Sequence, residues 1–447
     1  MTSDPRQAAF AILARIDKER SFADILLDRE LSHGGLQGAD RGLLTELVYG
    51  VSRRRGTLDH VINQFSRQKV ERLERSVATL LRLGLYQLLF LDRIPASAAV
   101  NETVKLAHQQ APRATGFINA VLRQVDRKRD SILYPDKDVD QVGFLAARYS
   151  HPAWIVKGWI EQLGLKEAEE ICRVMSEPPP LTARVNPLRI TRDRLIARLD
   201  TEGVMAAPSL YSPLGIQFTT SAPIAAIPSF REGLFTVQDE ASQLVALLMA
   251  PIPGERLLDL CAAPGGKATC LAEQMENRGN ILACDLHSRR LEQVAITAER
   301  LGIGIIETRP LDAAHAGEEL AGQQFDHVLV DAPCSGLGVL RRNPEGKWWK
   351  TPQDVAAFAD RQRLILEGAA QCVAPRGRLL YATCSTSREE NEEVVNDFLS
   401  HHTDFVVINL RELFTHFSEL CSDRGFFRSW PHRHGMDGFF AALMQKS

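Results

Sequence analysis

The sequence predicts a multidomain protein. An all-α N-terminal domain is followed by a small α+β linker domain and a C-terminal α/β domain with a Rossmann-like, doubly wound sheet. Three observations carry that reading. Apolar residues recur at helical spacing through residues 1–137, with no alternating strand pattern between them. Residues 138–235 are broken by SEPPPLTARVNPLRI, whose prolines mark an extended connection. Across 236–447, short apolar runs alternate with helical patterns, as parallel sheets covered by helices require. A chain of 447 residues exceeds one ordinary core, and 45% hydrophobic with 24% charged residues is ordinary for soluble globular protein.

The N-terminal elements follow in order. Asp4 is suited to cap a helix with Pro5 at its first position, and Ala8, Ala9, Ile12, Leu13 and Ile16 give that helix an apolar face. Further helical patterns cover 41–55, 72–91, 97–110 and 116–129. MTSDPRQAAF has an acidic residue and no apolar core, so no signal peptide is expected. The most apolar segment, 76–91, is interrupted by Arg82 and Gln87 and is too short to span a bilayer. Eight cysteines without a C-x-x-C pair fit a reducing compartment better than a disulfide framework, and a cytoplasmic, monomeric protein is expected. His401, His402, His432 and His434 lack metal-ligand spacing, so no metal is expected.

Charge is unevenly spread. The first 135 residues carry an excess of Lys and Arg over Asp and Glu, and the remainder the reverse. Arg53, Arg54 and Arg55 cluster at the end of one helical pattern, and Arg123, Arg127, Lys128 and Arg129 at the end of another. A polyanion partner explains this, and so does the preference of cations for helix C-termini. In the linker, amphipathic patterns at 153–174 and 191–200 flank the prolines; no function is legible there.

The α/β region reads as strands at 256–261, 280–285, 303–308, 327–332 and 377–384. Ligands of such sheets bind beyond the carboxyl ends of the strands. There the loop DLCAAPGGKAT (259–269) offers Gly265 and Gly266 for close backbone approach and a helix start with free N–H groups. Cys261 and Ala268 stand where a Walker A loop needs Gly and Ser/Thr, and G-x-G-x-x-G is absent. An adenosine ligand without a pyrophosphate remains. Asp285, roughly 20 residues beyond Gly265, is placed to accept its ribose hydroxyls. S-adenosylmethionine meets that description. Cys334 in DAPCSG and Cys384 in TCSTSREEN follow the fourth and fifth strands on the same edge.

Two resemblances extend this reading. ELVYGVSRRRGTLD (46–59), LRLGLYQLLFLDRIPASAAVNETVKLA (81–107) and GFINAVLRQVDR (116–127) resemble the NusB-type helical RNA-binding domain. AAPGGK, DAPCSG and ATCS, in this order at these strand ends, resemble the RNA cytosine-C5 methyltransferases. FTVQDEASQLVA (235–246) and DGFFAALMQK (437–446) match their flanking motifs. With the NusB-like region, the resemblance is to the RsmB (Fmu/Sun) family, which methylates a cytosine in bacterial 16S rRNA. It implies S-adenosylmethionine contacts at Cys261, Ala262, Ala263, Pro264, Gly265, Gly266, Lys267, Asp285, Asp312 and Asp331. Ala268 and Cys270 stand where that family commonly has Thr and His.

Carbon 5 of cytosine is a poor nucleophile, and a thiolate adding to carbon 6 makes it enamine-like. Asp331 is placed to hydrogen-bond the charged pyrimidine. From chemistry alone either cysteine could attack; the resemblance assigns attack to Cys384 and adduct release to Cys334. In RRNPEGKWWK, Arg341, Arg342 and Lys347 either hold RNA phosphates or are surface charges around a Trp anchor. Glu389, Glu390, Asn391 and Glu392 read as the cap and start of the next helix. Two other readings stand beside 16S rRNA methylation: the same chemistry on tRNA or another RNA, and a non-catalytic RNA-binding factor.

Overall fold

Helices built on apolar periodicity fill much of the N-terminal half, and some of its polar residues lie inside as well. The computed structural model describes residues 4–33, 35–219 and 223–447. Its contacts group into two units, Met1–Pro178 with Leu340–Lys350, and Pro179–Val339 with Thr351–Ser447.

The first unit is helical. Pro5–Glu19, Ala39–Phe65, Arg75–Phe90, Ala96–Gln110 and Thr115–Arg127 enclose a core containing Leu44, Leu47, Leu58, Ile62, Leu80 and Leu122. Asp4 caps the first helix by accepting from the Arg6 amide at 2.9 Å. Arg82 interrupts the apolar helix without being wasted. Its guanidinium lies 2.7 Å from Asp59 and 3.1 Å from Asp17, so the buried cation is paired on two sides. Gln87, fully buried, accepts from Arg6 at 2.7 Å. The pattern read over 153–174 divides at Gly164 into helices Ala153–Leu163 and Leu165–Met175.

Here the expected phosphate contacts at Arg53, Arg341 and Lys347 are corrected. Arg53, Arg341 and Lys347 are buried, and a group buried in protein cannot meet an RNA phosphate. Lys347 donates to the Arg53 carbonyl at 3.1 Å, and Arg53 donates to the Arg341 carbonyl at 3.3 Å. Burial, with Arg53 and Arg54 nearby, pushes the Lys347 ammonium well below its usual range. Arg54 and Arg55 are half-buried and engaged, Arg54 with Ser176 at 3.2 Å and Arg55 with Asp17 at 2.7 Å. Arg342 is half-buried as well. Trp348 donates to the Ser52 carbonyl at 3.1 Å, and the Trp349 ring meets Phe22 edge-on at 5.6 Å. The loop is packed into the helical unit, with Pro344, Glu345 and Lys347 buried.

The second unit holds two sheets. The smaller is antiparallel, with β1 (Thr182–Val185), β2 (Ala206–Pro208), β3 (Gly215–Phe218) and β4 (Phe235–Val237) in the order β2-β3-β1-β4. The proline-rich connection thus contains a strand, since the non-proline run TARV can form a ladder. The larger sheet contains β5 (Arg256–Asp259), β6 (Asn280–Asp285), β7 (Ile306–Pro310), β8 (Phe325–Asp331), β9 (Val373–Thr383), β10 (Phe405–Val407), β11 (Phe427–Arg428) and β12 (Phe440–Lys446). Its order is β10-β12-β9-β8-β5-β6-β7, with β11 paired to β12. Strands β5 to β9 are parallel, and β12 runs antiparallel against β9. Order reverses between β5, β6 and β8, which opens the ligand crevice beside the β5 loop.

Candidate active site

β8 and β9 are parallel neighbours with Asp331 opposite Ala382. Both chains leave the sheet within three residues of that pair, so Cys334 and Cys384 emerge side by side. Their sulfurs are 3.4 Å apart. Backbone bonds hold the two loops together: Ala332 donates to the Ala382 carbonyl at 2.8 Å and Gly338 to the Cys384 carbonyl at 2.9 Å. Gly438 then donates to the Gly338 carbonyl at 2.9 Å. A Cβ on Gly338 would lie 1.9 Å from the Gly438 oxygen and 2.8 Å from the Cys384 oxygen, so only glycine fits this approach.

Charge is concentrated beside the thiols. Lys267 donates to Asp331 at 2.6 Å and stands 5.0 Å from the Phe439 ring centre. Burial opposes the Lys267 ammonium, but the Asp331 carboxylate raises its pKa, keeping it charged. The Cys334 thiol is pushed well up, first by its hydrogen bond with Cys384 and then by burial. Either sulfur can be the donor in the contact between the two thiols.

The cofactor loop follows β5. Ala262 and Ala263 are buried, Cys261 and Gly266 half-buried, and Pro264 exposed at the tip. Gly265 adopts φ +104°, and a Cβ there would press on Val294 at 3.0 Å. Helix Gly266–Gln274 starts directly after it. Asp285 ends β6, accepting from the His287 amide at 3.0 Å and lying 3.5 Å from the Arg290 guanidinium. Asp312 accepts from the Ala314 amide at 3.1 Å and pairs with Arg361, which holds its carboxyl below the usual range.

Three family models match consecutive parts of the chain. "NusB family" covers 3–127, "Methyltr_RsmF/B-like, ferredoxin-like domain" covers 151–225, and "16S rRNA methyltransferase RsmB/F" covers 246–445. "Probable ribosomal RNA small subunit methyltransferase B" of Bacillus subtilis is 37% identical over 443 residues, 99% of this chain and 98% of that protein. The chain belongs to the RsmB/F methyltransferase family. "Ribosomal RNA small subunit methyltransferase B" of Escherichia coli O1:K1 is 35% identical, covering 98% of this chain and 97% of that one. Among solved structures, the crystal structure of PH0851 superimposes with TM-score 0.84 at 28% identity, covering 100% of both chains.

The residues present suit the S-adenosylmethionine of an RsmB/F enzyme. Asp259, at the end of β5, accepts from the Cys261 amide at 3.3 Å with one carboxylate oxygen. Its other oxygen is buried without a partner among the described residues. An orphaned buried acceptor beside Asp331 and Asp285 fits a ligand carrying positive charge. Burial and the nearby Asp331 push the Asp259 carboxyl up to about 7. Its folded value thus exceeds its unfolded one, so stability is greatest below the unfolded value and falls as pH rises through about 7. Asp259→Asn is expected to flatten the decline in thermal stability of the ligand-free protein between about pH 4 and pH 8. An unaltered slope in thermal melts would refute this.

Several residues that pack around this site were not singled out from the sequence. Asp259 lies in the quoted loop, but only burial shows its second oxygen to be orphaned. Gly338 was visible as a glycine beyond DAPCSG, without a signal of what it faces. Arg184, in the linker region, enters the site through tertiary packing. It donates to the Gly266 carbonyl at 2.7 Å, to Thr269 at 3.0 Å and to Glu273 at 2.8 and 2.9 Å. The small sheet therefore braces the helix that carries the cofactor loop.

Proposed function

We propose that this protein methylates carbon 5 of a cytosine in 16S rRNA through a covalent cysteine–cytosine adduct. The observation that carries the proposal is the pair of sulfurs 3.4 Å apart at the ends of neighbouring strands, with the Lys267–Asp331 pair alongside. S-adenosylmethionine, when bound, supplies a methyl group on an electrophilic sulfonium. Cys261 to Lys267, Asp285, Asp312 and Asp331 are the residues proposed to hold it, joined by Asp259.

In the proposed reaction, the Cys384 thiolate adds to carbon 6 of the pyrimidine. The Lys267 ammonium, held by Asp331 at 2.6 Å, stands within electrostatic reach of Cys384. Addition makes carbon 5 nucleophilic, and Asp331 is placed to stabilise the pyrimidine by hydrogen bonding. After methylation, water takes the carbon 5 proton, the freed electron pair re-forms the ring double bond, and the carbon 6–sulfur bond breaks, restoring aromaticity. Cys334, adjacent to that sulfur, assists release. A protonated Cys334 matches this role better than that of nucleophile.

RNA contact is reassigned to exposed basic residues. Arg123, Arg127 and Lys128 all face solvent near the end of helix Thr115–Arg127, and these are the phosphate contacts proposed. The testing experiment incubates the protein with methyl-labelled S-adenosylmethionine and separated RNA fractions. Label in 16S rRNA as 5-methylcytosine is the expected result; label confined to tRNA, or none, would overturn the proposal. Separately, Asp285→Ala is expected to weaken S-adenosylmethionine binding by about 1.5–3 kcal/mol, the scale of a hydrogen bond to a charged group. An unchanged dissociation constant by calorimetry would remove Asp285 from the site.

A further inference from the structure

Beneath the two thiols lies a carboxylate that neither the sulfur chemistry nor the cofactor loop employs. The sequence placed Glu390 at a helix start, yet the helix begins at Glu392 and Glu390 is fully buried. Its Oε1 accepts from the Ser335 amide at 2.7 Å and from Gln362 at 3.2 Å. Its Oε2 accepts from the Ser385 hydroxyl at 2.5 Å and also from the Ser335 hydroxyl. Ser335 follows Cys334 and Ser385 follows Cys384 in the chain. One carboxylate thus grips the residue after each thiol.

The surroundings reinforce the grip. Gln362 also donates to the Pro333 carbonyl at 3.0 Å, on the other side of Cys334. The hydroxyl of Tyr381, which lies on β9 three residues before Cys384, donates to the Glu390 carbonyl at 2.5 Å and lies 3.0 Å from Gln362 Oε1. These donors are all neutral. A buried carboxylate held only by neutral donors is an expensive way to stabilise a fold, and apolar packing of the same volume would serve stability better. What the carboxylate uniquely provides is one rigid point shared by two loops.

We infer that Glu390 is a positioning residue that sets the spacing of Cys334 and Cys384, so that the attacking and releasing sulfurs address one pyrimidine. The inference rests on the proposed two-thiol reaction. Glu390→Gln keeps the volume but turns an amide donor toward the serine hydroxyls, so at least one tether is lost. Ser335→Ala and Ser385→Ala each remove one hydroxyl with little risk to folding.

The test uses the full-length variants and two readouts. In methyl transfer to 16S rRNA, Glu390→Gln is expected to lower kcat by about 100-fold, the scale of an ångström-sized misplacement, with KM for RNA and the S-adenosylmethionine dissociation constant unchanged. The serine variants are expected to show smaller losses in the same pattern. The second readout is the affinity for phenylarsine oxide, whose arsenic binds two adjacent thiols with release of water. Wild type should bind it and Cys334→Ala should not, while Glu390→Gln and Ser385→Ala should bind it at least about tenfold more weakly. Undiminished arsenical affinity in these variants would overturn the inference, and so would a loss of kcat matched by an equal loss of cofactor binding. If wild type transfers no methyl to cytosine, the proposed function fails, while the arsenical titration still judges the clamp.

Discussion

Cys384→Ala is expected to abolish methyl transfer without leaving any covalent complex, whereas Cys334→Ala is expected to accumulate protein bound to RNA. The two sulfurs are 3.4 Å apart, so neither distance nor burial alone separates their roles. Their chemistry does. Without Cys384 there is no thiolate to add to carbon 6, and an unactivated carbon 5 does not attack the methyl group. Without Cys334, addition and methylation proceed but release slows, and the adduct persists. Denaturing gel electrophoresis with labelled RNA reads the outcome directly: a slow-migrating band for Cys334→Ala and none for Cys384→Ala. The opposite pattern would exchange the roles. Full activity with no band in either variant would show that neither thiol is catalytic.

Arg184→Met is expected to destabilise the C-terminal unit by about 3–5 kcal/mol, because it strands the buried Glu273 carboxylate. Arg184 and Glu273 are both buried, at 0% and 1% side-chain exposure, and their ion pair is 2.8 Å long. Burial alone pushes the Glu273 carboxyl up, and Arg184 is the cation that opposes it. Removing both charges differs from removing one. Arg184→Met combined with Glu273→Leu should recover most of the loss, since apolar side chains of similar volume avoid the desolvation cost. Urea unfolding midpoints of the two single variants and the double variant measure the coupling. Additive losses would mean that the pair does not act as a unit. The lost Gly266 tether should also weaken S-adenosylmethionine binding in the single variant, because Arg184 fixes the carbonyl at the start of the cofactor-loop helix.

The alternating apolar runs, the AAPGGK loop and the two cysteines at strand ends were legible in the sequence because they are local. Strand periodicity, turn glycines and the residue after a strand's last apolar position are all written within a dozen residues. The sequence puts Cys334 and Cys384 on one sheet edge, and the parallel pairing of β8 with β9 makes them neighbours there. The motif resemblance supplied what spacing cannot, the choice of reaction and the division of labour between the thiols.

Burial was not legible, and it decided the remainder. RRNPEGKWWK and Arg53–Arg55 look like phosphate-binding surfaces in one dimension, since a charged side chain signals solvent by default. Only packing shows Lys347 donating to the Arg53 carbonyl inside the helical unit, where partners replace the water that the charge gives up. Glu390 is the same error with the opposite consequence. A glutamate before a helix reads as a cap, yet a long-range contact carries it under the thiols. Arg184 came from a region with no readable function, 82 residues before the Gly266 carbonyl it holds. Local sequence determines which elements form and which loops face the ligand edge, because those depend on neighbours along the chain. Which charges stand in water and which are spent inside depends on residues hundreds of positions away, and only the tertiary structure brings those together.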